Sequence, residues 1–418
     1  MAQVIFAAVE SHESADILSQ LTPATYIKNL PVWAGLPRPV IISPHIKRFD
    51  ILKLSPDTTM APTQTKTFIV NEQPIKNVNY ELGQKHSTFK LVDQTLQPLQ
   101  DGHVRVKTLY LSNDPTQRSW IQKGINPERM YVPPVGQGEP MRSLGIGQVV
   151  ESKSSNYKNG DLVICLLYWS QYCDIEEQQI DSKVPDASIP LPVYLSTLGM
   201  TGLTAYFGIR EVAKAKKGDT VVVSAASGAT GSMVVQIAKA IGCHVIGISG
   251  GEEKCRYVES IGADACVNYK DPAFRKNMVK ALGDKKFCDV FFDNVGGDIL
   301  DVMLALTKVN GTIVACGAIA GYNDHTKMQI RNWGEIIVNR LTVKGFIILD
   351  HKDKYGAAVK EIAGWIKEGK VKADESAFNL VDLTGESKFT EVPIVWGTLF
   401  SDNKKPGKLL TKLADPKL

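Results

Sequence analysis

The segment that most constrains this chain runs from Thr220 to Gly231. Thr220-Val221-Val222-Val223-Ser224 is a nearly continuous apolar run, and it leads directly into Ala225-Ala226-Ser227-Gly228-Ala229-Thr230-Gly231. A run that is apolar on both alternating faces predicts a strand buried on both sides, as in parallel sheets covered by helices. Beyond the turn, Met233, Ile237 and Ile241 fall on one face of a helix. A strand, a small-residue turn and a helix in that order suit a polyphosphate. The turn admits close backbone approach, and the first helical N–H groups point at the charge. Gly228 fits the close approach and Gly231 fits tight packing of helix on strand. Ala226 stands where the usual G-x-G-x-x-G pattern has its first glycine, so the motif draws its strength from its setting. The plain alternative is a helix entry made of small residues.

The same alternation continues downstream. Residues 244–248, 265–267, 289–292 and 312–315 read as strands, with helices from about 252 to 261 and around 363–366. This predicts an α/β unit with a doubly wound parallel sheet over residues 190–368. Upstream, from Phe68 to about Pro190, short β-like runs are broken by turns, as at 103–109, 147–152 and 162–165, the last preceded by Asn159-Gly160-Asp161. Short β-like pieces return after residue 369. Residues 66–189 and 369–418 are therefore expected to form one mostly β domain with the α/β unit inserted. Residues 1–65 carry seven prolines (Pro23, Pro31, Pro37, Pro39, Pro44, Pro56 and Pro62). They read as a mobile extension, dispensable for folding and catalysis.

At 418 residues the chain is long enough for two cores of ordinary size. Its net charge of +4 is spread without a basic tract, which argues against nucleic acid or an anionic membrane as partner. No apolar run reaches the length of a bilayer-spanning helix. Cys165, Cys173, Cys243, Cys255, Cys266, Cys288 and Cys316 are odd in number and contain no C-x-x-C pair. They are read as reduced thiols of a cytoplasmic protein.

The end of the second strand of the α/β unit selects the cofactor. An acid there would hold the ribose hydroxyls of NAD. Here the strand ends in Ser249-Gly250-Gly251, followed by Glu252-Glu253-Lys254. No acid sits at the tip, although a shift in register could bring a glutamate to it. Lys254 at a helix N-terminus opposes the helix dipole, and a phosphate partner would account for it. NADPH is the expected cofactor.

From about residue 66 onward the chain resembles the zinc-independent medium-chain dehydrogenases/reductases, in particular the leukotriene hydroxydehydrogenase/prostaglandin reductase and alkenal double-bond reductase group. The matching pieces are Ser112-Asn113-Asp114-Pro115-Thr116-Gln117-Arg118, Val149-Val150-Glu151-Ser152-Lys153, and Gly199-Met200-Thr201-Gly202-Leu203-Thr204-Ala205-Tyr206. The Ala225–Gly231 loop, Asn268-Tyr269-Lys270, Asp293-Asn294-Val295-Gly296-Gly297, and Cys316-Gly317-Ala318-Ile319 with Tyr322-Asn323 complete the set. The resemblance implies a GroES-like, mostly β substrate domain with an inserted Rossmann domain, and commonly a homodimer. It implies that Gly228, Ala229, Thr230 and Gly231 cradle the phosphates and that Lys254 and Tyr269 hold the 2′-phosphate. Asn294 and the run Cys316, Gly317, Ala318, Ile319, Ala320 and Gly321 would lie along the cofactor, with Phe346, Ile347 and Ile348 at the nicotinamide end. Asn403 would reach the cofactor too, although Ser401-Asp402-Asn403-Lys404-Lys405-Pro406-Gly407-Lys408 departs from the group's Gly-Asp-Asn-x-Gly-Lys. Tyr269 and Phe346 have plain alternatives as packing residues.

Zinc alcohol dehydrogenases of the same superfamily need a Cys/His/Cys-type catalytic site and a four-cysteine lobe. This chain has Leu111-Ser112-Asn113-Asp114 at the first cysteine's position, no clustered cysteines, and no Cys or Glu at ligand spacing from His86 or His103. A metal-free site is expected. Hydride addition to the β-carbon of an enal or enone asks only for donors to a developing enolate, and Tyr322 and the cofactor's ribose hydroxyl are the candidate donors. Asp114 and Arg118 are expected to pair and hold the substrate loop. Two rivals remain at this stage: a quinone reductase, and a catalytically idle NADPH-binding protein.

Overall fold

The computed structural model describes residues 62–402 and 404–417, so all but the last few residues of the proline-rich extension lie outside it. In chain order the first strands are β1 (Gln64–Val70), β2 (Phe89–Thr95), β3 (His103–Ser112), β4 (Arg142–Ser152), β5 (Leu162–Tyr168), β6 (Tyr172–Glu176) and β7 (Ile180–Lys183). β1 and β2 pair antiparallel by themselves, with Phe68 opposite Leu91. A larger sheet runs β14-β15-β3-β4-β5-β7 with β6 on β3, where β14 (Phe378–Asp382) and β15 (Lys408–Lys412) come from the C-terminal end. Its core is aromatic: Phe89 and Trp396 pack on Trp169 at 5.1 and 5.7 Å between ring centres. The buried indole of Trp169 donates to Ser143 Oγ at 2.7 Å, so its polar edge is satisfied. Arg105 is buried and grips Asp174 with two nitrogens at 2.8 and 2.9 Å and Glu151 with the third at 2.9 Å. It thereby ties β3 to both β6 and β4.

The second half is built from β8 (Thr220–Ser224), β9 (His244–Ser249), β10 (Ala265–Asn268), β11 (Cys288–Asp293), β12 (Thr307–Ala315) and β13 (Thr342–Gly345). They form one parallel sheet in the order β10-β9-β8-β11-β12-β13. Counted from β8, this is the order 3-2-1-4-5-6 of dinucleotide-binding folds. Every residue of β8 is buried, as its apolar run requires. Helices α1 (Met200–Phe207), α2 (Ala229–Ala240), α3 (Glu252–Ser260), α4 (Phe274–Leu282), α5 (Gly297–Leu304), α6 (Gly334–Val338) and α7 (Tyr355–Lys367) accompany it. One core joins α1, α2 and α7 to one face, through Met233, Ile237, Ile362 and Trp365. Another covers the opposite face with Met278, Ile299 and Met303. Strand order reverses between β8 and β11, and ligands of such sheets bind in the crevice beyond those strand ends.

Candidate active site

The crevice is built from the ends of β8, β11 and β12. Ser224 Oγ donates to the buried carboxylate of Asp293 at 2.8 Å and accepts from Asn294 N at 2.8 Å, while Asn294 Nδ2 donates to Ser224 O at 2.7 Å. Asp293 also receives the N–H groups of Val295 and Gly296. Burial pushes the Asp293 carboxyl up, and these donors work against that shift. Gly317 packs so close that a Cβ there would meet Asn294 O at 2.9 Å. Asn294 and the 316–321 run thus share one wall.

In the loop after β8, Ala225 adopts φ +47°, a left-handed conformation rare for alanine. The turn closes with Gly228 N–H on Ala225 O at 2.8 Å. Gly231 sits where a Cβ would lie 2.2 Å from Ala225 O. Gly228 is the N-cap of α2 and no side chain caps the helix, so the first N–H groups, from Ala229 to Gly231, face outward. The tail crosses this loop: Gly407 N–H donates to Ser227 O at 2.9 Å. The residues present fit a pyrophosphate, with a helix N-terminus, small residues and close backbone approach in one place.

At the tip of β9, Gly250 lies against the Tyr269 ring, 2.9 Å from where a Cβ would stand. Glu252 accepts from Asn268 Nδ2 at 3.0 Å, which turns the first of the two glutamates toward β10. Lys254 donates to the backbone carbonyl of Asp402 at 2.9 Å, and Lys270 pairs with the Asp402 carboxylate at 2.7 Å. Burial, then the charge of Lys270, pulls the Lys254 ammonium down; burial, then Lys254, does the same to Lys404. Lys254 lies in electrostatic reach of both Lys270 and Lys404, a crowding that an anion would relieve, which suits a nucleotide 2′-phosphate. Asn403 lies outside the described residues. Sequence reading missed Asp402, Lys270 and Lys404, although Lys270 stands beside Tyr269 in a motif it had picked out.

The opposite end of the crevice holds Tyr322. It follows the 319–321 turn, half-buried, and among the described residues its hydroxyl meets only Ala318 N–H, at 3.5 Å. Burial raises its pKa, so the phenol keeps its proton at neutral pH. Tyr131, hydrogen-bonded to Thr116 at 2.5 Å, lies within electrostatic reach of it; nothing in the sequence singled Tyr131 out. Phe346 is close by the sheet core, facing Gly208 beside Phe292, and Ile347 leads into the turn that begins at Ile348. Lys254 and Tyr269 therefore mark one end of the crevice, Tyr322 the other, with the Gly228–Gly231 loop and Asn294 along it.

The expected pairing of Asp114 with Arg118 is not formed. Asp114 accepts from Ser112 Oγ at 2.5 Å and forms an ion pair with the buried Lys408, while Arg118 turns to Asn323 and Lys76. Between them the backbone turns, with Gln117 N–H on Asp114 O at 3.2 Å and Arg118 N–H on Pro115 O at 3.1 Å, and the two side chains take separate partners. His86 binds Glu72 at 2.8 Å on the surface, and no group of three or more His, Cys, Asp or Glu among the described residues is placed to hold a metal.

Sheet order, crevice and anion cradle define a fold that takes a dinucleotide at the ends of its parallel strands. Residues 229–364 match the family model "Zinc-binding dehydrogenase", and residues 79–182 match "N-terminal domain of oxidoreductase". The chain is 37% identical over 312 residues to the 2-alkenal reductase (NADP(+)-dependent) of Nicotiana tabacum, covering 72% of this chain and 88% of that protein. It is 35% identical over 353 residues to a Saccharomyces cerevisiae protein named an uncharacterized membrane protein, covering 81% and 95%. The solved structure of CurA from Vibrio vulnificus in complex with NADPH superposes with TM-score 0.74 at 28% identity, over 84% of this chain and 100% of that one. The chain belongs to the medium-chain dehydrogenase/reductase family, in the group of alkenal and prostaglandin reductases. Among the described residues no helix is long and apolar enough to cross a membrane.

Proposed function

We propose that this protein is an NADPH-dependent reductase of the carbon–carbon double bond of α,β-unsaturated aldehydes and ketones, and that it works without zinc. The observation that carries the reading is Tyr322: a protonated phenol with one long backbone contact, at the end of the crevice opposite the lysine cluster. When bound, NADPH supplies the hydride that the β-carbon accepts. Ala229, Thr230 and Gly231 would offer N–H groups to its pyrophosphate, Gly228 would admit the close backbone approach, and Lys254 with Tyr269 would receive its 2′-phosphate. Asn294 and residues 316–321 line its length, and Phe346, Ile347 and Ile348 flank the nicotinamide. Tyr322 would donate to the substrate's carbonyl oxygen as enolate charge builds there, and solvent or Tyr322 would then supply the proton that the α-carbon takes up.

The reading rests on a division into a substrate domain of residues 66–189 and 369–418 and a nucleotide domain of 190–368. We also propose a cytoplasmic homodimer. All seven cysteines are unpaired, five of them buried, and β13 leaves the edge of the parallel sheet fully exposed beside Trp333, Ile337 and Val338. Loss of NADPH absorbance with a panel of enals, enones and quinones tests the function. Turnover of 2-alkenals and alkenones well above quinones is expected. Preference for simple quinones, or tight NADPH binding with no turnover of any of them, would overturn it.

A further inference from the structure

Among the described residues three cations have buried side chains: Arg105, Arg118 and Lys408. Arg105 meets Asp174 and Glu151, and Lys408 meets Asp114. Arg118 meets no carboxylate among the described residues. Its Nε donates to Asn323 Oδ1 at 2.9 Å, its Nη2 to Lys76 O at 2.6 Å, and its Nη1 is buried with no partner among the described residues. Burial pulls the guanidinium down to about 10, which still leaves it charged at neutral pH. Across the same site, burial lifts the Tyr80 phenol to about 12 against the pull of that charge. A desolvated cation with only neutral acceptors is an expensive way to fasten two segments. Its bonds, though, are directional and charge-assisted, and such bonds are short and stiff.

What they fasten decides the role. Lys76 lies in the loop between β1 and β2, and Arg118 sits in the short helix Gln117–Trp120 that follows β3. Asn323 comes from the other half of the molecule and is the immediate neighbour of Tyr322. We propose that Arg118 is a positioning residue that, through Asn323, holds the Tyr322 phenol at the substrate's carbonyl and so couples the β-rich half to the reacting end of the crevice. This rests on the reading of Tyr322 as the enolate donor. A donor displaced by about 1 Å can lose up to roughly a hundredfold in rate.

The test combines Asn323→Ala and Arg118→Lys with Tyr322→Phe, measuring kcat and KM for NADPH with an enone. Arg118→Lys keeps the charge and loses the fork; Asn323→Ala keeps the buried arginine and serves even if the arginine variant fails to fold. Asn323→Ala is expected to lower kcat about tenfold with KM for NADPH nearly unchanged. In the Tyr322→Phe background the same change should cost less than about twofold, because the group it positions is gone. Equal fractional losses in both backgrounds, or wild-type turnover in Asn323→Ala, would overturn the proposal while leaving enone reduction intact. Absence of enone turnover in the unaltered protein would instead remove the parent reading, and this inference with it.

Discussion

At the scale of single residues, Tyr322 and Lys254 occupy opposite ends of the crevice and predict separable effects. As the proposed enolate donor, Tyr322 would act only while its phenol carries a proton, and burial raises its pKa. Turnover should therefore stay flat through neutral pH and fall only above the ordinary tyrosine value of about 10, as a pH–rate profile would show. Tyr322→Phe should lower kcat by roughly tenfold to a hundredfold with NADPH affinity unchanged; wild-type turnover would reduce the ring to loop packing. Lys254→Ala should weaken NADPH binding by about tenfold and leave NADH binding as it was, measured by fluorescence titration. The loss is no larger because Lys270 and Lys404 share the same patch. The missing acid at the β9 tip was readable in Ser249-Gly250-Gly251. The destination of Glu252 was not, because it depends on Asn268, a residue of the neighbouring strand.

At the scale of elements, the β8-turn-α2 unit was legible because its signals are local: an apolar run of strand length, small residues, then helical spacing. Its tightest point is Gly231. Gly231→Ala would drive a Cβ to 2.2 Å from Ala225 O and 2.9 Å from Ala226 Cα, both backbone atoms that cannot swing aside. A cost of about 1–3 kcal/mol is expected, read as a lower urea midpoint together with weaker NADPH binding. Unchanged stability would show that the helix can slide outward. The left-handed Ala225 was invisible beforehand, since nothing about alanine favours φ +47°. The turn imposes it, through the Gly228 bond to Ala225 O and the docking of Ala226 N–H on Ile248 O at 3.0 Å. The Asp114–Arg118 pairing failed for a similar reason. Both residues were correctly placed on one turn, but their partners arrive from β15 and from the loop after β12.

For the whole molecule, two features come from chain segments far apart in sequence. Lys408, on the C-terminal strand, is buried and paired with Asp114 after β3. Lys408→Met should cost roughly 3 kcal/mol, the lower end for breaking a buried pair because Asp114 keeps some contact with water; urea unfolding measures it. The second feature is the open sheet edge. All four residues of β13 are exposed, and Trp333, Ile337 and Val338 stand 64%, 70% and 68% exposed beside it. Such an edge is a template for pairing unless it is covered. Ile337→Asp with Val338→Asp should yield a monomer by light scattering where the unaltered chain is a dimer. A monomeric unaltered chain would remove the homodimer from the proposal.

The sequence by itself determined the strand–helix alternation, the nucleotide loop, the lack of an acid at the β9 tip and the position of Tyr322 after a strand end. Each of these is written within a dozen or so neighbouring residues, where periodicity and turn chemistry act. Only the tertiary structure decided that Asp402 meets Lys254 and Lys270, that Gly407 crosses the loop after β8, and that Arg118 reaches Asn323 instead of Asp114. Those contacts join residues more than a hundred positions apart. The hydrophobic cores that bring them together fix where the backbone goes, and the charged side chains then take whichever partner burial leaves within reach.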